Sequence, residues 1–231
     1  MTNDYKLSGT KVFIRRLFKQ DIDIIMRCYA SLDLLYFNPI TPVFLNDIFL
    51  NGEIWGAFSG DKIIGCCYFF PADSDFFKPY NAYDAISDFT ENMSDHLYLG
   101  YIYAHKDYLA SGIYQAFYNV AQVQGFRQGV KYILHSVPVK LPCDLHVLFE
   151  NGFRLVNLRG LDNLVVHYIF IKNLYTGDSL YNVNDYVTQL VCCENTKMLS
   201  KYLEHGYCGV DILHKDNGSV LVLKQFNNLC Q

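Results

Sequence analysis

The chain has 231 residues, 51% of them hydrophobic and 16% aromatic, with a net charge of -4. That is enough apolar material to bury a sizeable core, which argues against disorder, and a mildly acidic chain without blocks of like charge argues against nucleic acid as the main partner. No apolar run is long enough to span a membrane, MTNDYKLSGT is no signal peptide, and eight scattered cysteines without a CxxC fit reduced thiols in the cytoplasm, with no metal site.

Lys11 to Phe18 reads as a first strand. Asp21 caps a helix through about Leu32, with Ile22, Ile25, Met26 and Tyr29 on one face. Asn38-Pro39 and Thr41-Pro42 break the chain, and Val43 to Leu50 forms a short second helix. Glu53 to Ser59 and Lys62 to Phe70 make a hairpin over Gly60-Asp61. Ala72 to His96 is the least patterned stretch and reads as an insertion or a long lid-like loop.

The chain is organised around Leu97 to Gly125. Leu97, Leu99, Tyr101 and Tyr103 alternate with Tyr98, Gly100 and Ile102, which predicts a strand. His105 to Ser111 is a short polar joint. From Gly112 the period becomes helical, with Ile113, Ala116, Phe117, Val120 and Ala121 on one face, and the helix is expected to stop at Gly125. A helix that starts at a glycine after a strand presents unpaired N–H groups and a positive dipole end, an anion site suited to a pyrophosphate. A plain strand-to-helix joint is the alternative reading of the same residues.

Lys131 to Val139 is the next strand. Pro142 opens a helix to Asn151, Gly152 ends it, and Phe153–Leu158 and Leu164–Ile171 form a last hairpin. FENGFRLVNLRGLDN, 149 to 163, aligns with LEHGYCGVDILHKDN, 203 to 217, at an offset of 54, which reads as an internal repeat. A chance match of two short helix-glycine-aromatic ends is the alternative reading. The strand-like run Asp185 to Val191 precedes the second copy. Residues 1–175 are therefore read as the main domain and 176–231 as a C-terminal strand-helix-hairpin extension. Its apolar residues are too many to leave in water, and ~40 residues rarely stand alone. The extension is expected to pack on the main sheet, its own or a partner chain's, at an open edge.

The order β α α β β β α β α β β resembles the GNAT superfamily, the GCN5-related N-acetyltransferases, over roughly Lys11 to Asn173. FIRRLFKQDIDIIMRCY looks like the family's opening strand and helix, and GAFSGDKIIGCCYFF like its hairpin, with Gly65 at the usual glycine. YLASGIYQAF lies where the family carries its pyrophosphate loop, and LFENGFRLV looks like its closing helix-to-strand joint. Of the loop's signature positions Gly112 is kept, while Leu109 stands for Arg or Gln and Tyr114 for Gly or Ala.

The resemblance implies an α/β fold, a mixed central sheet flanked by helices, here with an added C-terminal β-α-β-β unit. It implies acetyl-CoA, or another acyl-CoA, as co-substrate and an amine of a small molecule or protein as acceptor. By position, Tyr101, Ile102 and Tyr103 would grip the thioester and pantetheine arm, and Ser111, Gly112, Ile113 and Tyr114 would face the pyrophosphate. Amine attack needs a base. His105 at the strand's exit is the first candidate, with Glu53 and His135 behind it. Lys106 and Arg127 could pair with cofactor phosphates. The family's closing tyrosine protonates the leaving thiolate. Asn195, Met198, Tyr202, Gly206 and Tyr207 fit that closing motif, whereas Leu141, Asp144, Leu148, Gly152 and Phe153 stand at its places in the first copy, so Tyr202 takes the role by spacing. The runner-up reading is a GNAT-fold protein without catalysis, serving in binding or assembly, as some phage-encoded relatives do. A homodimer in which one tail completes the partner's site is a third.

Overall fold

The computed structural model describes residues 3–7, 10–30, 41–74, 92–100, 102–139, 145–161, 165–175, 186–215 and 218–226. Strands β1 (Asn3–Leu7) and β2 (Thr10–Leu17) lead into α1 (Ile22–Ala30) and α2 (Pro42–Asn51). They are followed by β3 (Glu53–Ser59), β4 (Lys62–Pro71), β5 (His96–Leu99) and β6 (Tyr103–Ala104). Helix α3 (Ile113–Gln128), β7 (Tyr132–Pro138), α4 (Leu145–Glu150), β8 (Arg154–Leu161) and β9 (Val165–Asn173) complete the main sheet. The tail contributes β10 (Tyr186–Cys192), α5 (Thr196–Glu204), β11 (Tyr207–Lys215) and β12 (Gly218–Phe226).

These strands form one mixed sheet in the order β1-β2-β3-β4-β5-β7-β9-β8-β11-β12-β10, with β6 paired to β4. Only β5 and β7 run parallel among the described pairs. Alternation divides the side chains between two faces. Val12, Ile14, Phe69, Leu97 and Leu99 point to the core beneath α3, α4 and α5. Leu17, Tyr68, Phe70 and Tyr98 point to the core beneath α1 and α2. The first connection is fixed by charge. The Arg15 guanidinium donates two 2.9 Å hydrogen bonds to Asp21, whose Oδ2 also accepts from the Phe18 amide at 2.9 Å. Helix α2 starts where Thr41 Oγ1 accepts from Phe44 N at 3.1 Å, with Pro42 in the first turn.

The repeat is structural, and longer than the sequence match. β7 spans 132–138 and β10 spans 186–192, the same offset of 54. Both copies are strand, helix, hairpin. Both helices are followed by a left-handed glycine, Gly152 at φ 78° and Gly206 at φ 81°. Both hairpins carry a register shift at the equivalent place, between Leu155 and Asn157 and between Gly209 and Asp211. The copies meet where equivalent residues pair, Leu155 opposite Gly209. The order β7-β9-β8-β11-β12-β10 is therefore a palindrome about a local two-fold axis. A Cβ on Gly209 would lie 2.8 Å from the Leu155 Cβ, so glycine is what lets the copies touch on that axis.

The tail thus docks in cis, on the open edge of β8, and Leu199, Leu203, Leu221 and Leu223 join the main core. Three sequence expectations need correction. β1 adds a strand that the reading of the N-terminus did not foresee. Helix α3 does not stop at Gly125 but runs to Gln128 and ends at Gly129, φ 71°. Gly125 serves packing instead, since a Cβ there would come within 2.6 Å of Leu174. And the strand expected over Leu97 to Tyr103 is broken into β5 and β6. The lid-like loop expected over 72–96 falls for the most part outside the described residues, as do the end of the first helix and the start of the helix expected from Pro142.

Candidate active site

The break in that strand makes the site. Leu99 lies opposite Phe69 and Tyr103 opposite Cys66, four residues advanced on one strand against three on β4. One extra residue is bulged out between them. On the other side β5 pairs with β7 from His96–Tyr132 to Leu99–His135 and no further. Beyond that point Ser136, Val137 and Pro138 pair only with β9 among the described strands, and Tyr103 and Ala104 only with β4. The sheet forks.

Opening a sheet strips backbone groups of partners, and buried ones must be satisfied some other way. At this fork several find partners nearby. The Gly100 amide turns back to Tyr68 O at 2.8 Å, and the His105 amide to Ile64 O at 2.8 Å. Leu99 O accepts from the His135 ring at 2.9 Å, which fixes the proton on Nδ1. On the opposite face the Tyr98 and Ser136 hydroxyls share a hydrogen bond of 2.5 Å. Gly100 and Gly65 permit the close approach. A Cβ on Gly65 would sit 2.6 Å from Tyr103 O, and one on Gly100 would sit 1.9 Å from the Tyr68 ring.

The chain leaves β6 through a 3-10 turn, Lys106–Ser111, and swings into α3 at Gly112, φ 81°. The first bond of α3 runs from Ala116 N to Gly112 O at 3.0 Å. The amides of Ile113, Tyr114 and Gln115 precede it at the helix's positive end, beside the fork. Tyr114 is half-buried and packs on the core.

The sequence candidates fall as follows. Ile102 and Tyr103 are buried on the strand β6 continues, Tyr103 edge-on to Tyr29 at 4.3 Å. Tyr101 lies outside the described residues, and so does the Ser111 side chain. His105 stands at the exit of β6, half-buried, its Nδ1 3.5 Å from Asp107 Oδ2. Glu53 is already engaged, by Arg16 at 3.0 Å and by the Trp55 indole at 2.9 Å. His135 is buried, and burial pushes its pKa down to about 4. Tyr202 lies in the C-terminal unit, its hydroxyl donating to Gln189 Oε1 at 3.3 Å and its ring edge-on to Tyr207 at 5.1 Å. The sequence reading missed the role of Leu99, Gly100 and His135 as a sealed fork. A glycine inside an alternating strand was the signal available.

No group of three metal-ligating side chains occurs among the described residues, and no helix among them is long and apolar enough to cross a membrane.

A forked mixed sheet with a glycine-started helix at the fork is the fold of the GNAT acetyltransferases. The ribosomal-protein-S18-alanine N-acetyltransferase of Escherichia coli superposes with a TM-score of 0.54 at 12% identity, covering 75% of this chain and 99% of its own. An N-acetyltransferase of Staphylococcus aureus Mu50 gives 0.53 at 15% identity, over 71% of this chain and 98% of its own. The PaiA N-acetyltransferase of Thermoplasma acidophilum, solved in complex with coenzyme A, gives 0.50 at 13%, over 70% and 98%. These chains are used up while part of this one remains. No protein-family profile and no curated protein sequence matches the chain.

Proposed function

We propose that the chain is an acyl-CoA-dependent N-acyltransferase, moving an acetyl or similar group to the amine of a small molecule or protein. The observation that carries this is the fork itself. It opens beside the amides of Ile113, Tyr114 and Gln115, so one ligand can lay a phosphate on the helix start and an extended arm along Ile102–Tyr103. The amine nitrogen attacks the thioester carbonyl, the C–S bond breaks, and the amine's proton needs an acceptor. His105, at the mouth of the fork, is the base proposed. His135 is held neutral and its Nδ1 proton is committed to Leu99 O, so it serves the strand and not the proton. Glu53 is tied into its ion pair.

For Tyr202 the surroundings support a packing role. Tyr202→Phe is expected to keep turnover within about threefold and to cost about 1 kcal/mol of stability from the lost hydrogen bond. A hundredfold fall in kcat with unchanged coenzyme binding would instead make it the acid for the leaving thiolate.

The experiment that tests the function is a calorimetric titration with acetyl-CoA. Saturable one-to-one binding is expected, and its absence removes the acyltransferase reading. Tyr114→Gly should bind acetyl-CoA as well as the native chain or tighter, because it clears the approach to the helix amides at a cost of roughly 0.5–1 kcal/mol in helix stability. Weaker binding by a folded variant would show that the ring helps to hold the coenzyme.

A further inference from the structure

The two-fold repeat leaves one seat filled in the first copy and open in the second. In the first, α3 lies across β7, β5 and β4, and its first turns reach the residues between α4 and β8. Gln115 of α3 exchanges amide hydrogen bonds of 2.6 and 2.7 Å with Asn151, and the Tyr118 ring packs 5.4 Å from Phe153 and 6.0 Å from His135. Beneath this helix Ile133 and Phe153 are fully buried. Their equivalents 54 residues on are Val187 and Tyr207. Val187 is 53% exposed, and Tyr207 lines a groove of about 420 Å³.

Four of the six residues that line this groove are equivalents of residues under or beside α3. Tyr202 stands for Leu148, His205 for Asn151 and Tyr207 for Phe153. Gln225 stands for Lys172 at an offset of 53, the second hairpin's turn being one residue shorter. Among the described residues no helix covers it. The strand beside it is open too. β7 accepts β5 along its outer edge, whereas β10 has β12 on one side and no described strand on the other. The seven residues of β10, YVTQLVC, carry no charge, proline or glycine. Natural sheet edges are usually guarded by such residues, so an unguarded edge marks a place meant for pairing.

We infer that this groove is the docking site of an amphipathic helix from a partner protein, seated on the second unit as α3 is seated on the first, with β10's edge open to the strand that leads into it. The partner's chemistry follows from what has changed between the copies. Lys201 stands where the first copy has Val147 and lines the groove, and Lys197 lies one turn before it on the same exposed side of α5. The helix that fits carries glutamate or aspartate at the positions where α3 has Gln115 and Asn119, and apolar or aromatic residues at those of Phe117 and Tyr118.

The probe is a fluorescein-labelled peptide of residues 112–128 with Gln115→Glu and Asn119→Glu, titrated with the full chain and followed by anisotropy. Saturable binding is expected, weakened at least tenfold by Lys201→Glu and by Val187→Asp, both exposed positions whose replacement leaves the core intact. A second peptide with lysine at 115 and 119 should reverse the preference, binding Lys201→Glu better than the native chain. Absence of saturable binding by the acidic peptide overturns the proposal, as does equal binding to the Lys201→Glu chain. A concentration-dependent dimer in sedimentation, broken by Lys201→Glu, would assign the groove to a second copy and overturn it equally. None of these readings depends on acyl transfer.

Discussion

Acidification from pH 6.5 to pH 4 is expected to remove about 3 kcal/mol of folding stability through His135 alone. The cause is burial. In the unfolded chain this imidazole takes its proton near its ordinary 6.5, but in the folded one only at about 4. Between those values the unfolded state binds more protons, so stability falls as pH falls and is fully present above 6.5. His167 is buried as well and lies near His135. Burial, aided by that neighbour, pushes it also down to about 4, so the two losses overlap and do not simply add. His96, lowered by burial, acts in the same direction. Asp21 works in a different window. Its hydrogen bonds from Arg15 hold its carboxyl below the usual 3.8, and that contribution is lost only as pH falls past it.

Urea midpoints measured from pH 7.5 to pH 4 would show the decline. His135→Gln keeps a donor for Leu99 O but cannot titrate, so its curve should be flatter by about the same 3 kcal/mol while its pH 7.5 stability stays within about 1 kcal/mol of native. Parallel curves for the two chains would show that the imidazole is not desolvated at the fork.

Gly100→Ala is expected to damage the fold and the site together. The new carbon would meet the Tyr68 ring at 1.9, 2.3 and 2.4 Å. The ring is held between two neighbours, stacked 6.0 Å from Phe70 and edge-on to Phe44 at 5.8 Å. Either the ring repacks or the strand retreats, and overpacking of this kind costs roughly 1–3 kcal/mol or more. Because the Gly100 amide is also bonded to Tyr68 O, retreat of the strand would strip the fork of a backbone partner and displace Ile102 and Tyr103. Loss of coenzyme binding should therefore exceed what the drop in stability predicts. Gly160→Ala is the control. Nothing lies within 4 Å of a Cβ there and the backbone needs no left-handed angle, so it should be neutral within about 0.5 kcal/mol. A Gly100→Ala chain as stable as the control would mean that the Tyr68 ring is free to move.

Most of the fold was legible because its signals are local. The alternation of Glu53–Phe70, the turn at Gly60-Asp61, the change of period at Gly112 and the offset of 54 all lie within windows of a few residues or repeat at a fixed distance. What was not legible depends on partners far along the chain. Gly125 looked like a helix end because glycine usually is one, and only the approach of Leu174, 49 residues later, shows it as a packing residue. The strand from Leu97 to Tyr103 alternates throughout, and Gly100 was its one local sign of a break; that β7 leaves it at Leu99 depends on pairing with a distant strand. Tyr202 matches a motif by spacing, and spacing along one helix does not by itself say which part of a sheet that helix will cover.

The palindrome about Leu155 and Gly209 also bears on how the chain reaches its native state. The two hairpins are built to the same plan, and each is the best available impostor of the other. β8 can be misread as β11, within one chain or between two chains refolding together. Outside the hairpins the copies differ, Leu148 against Tyr202 and Asn151 against His205, so a misplaced hairpin would meet a changed partner. A chain engineered to make the copies identical should therefore refold more slowly and entangle with its neighbours as its concentration rises.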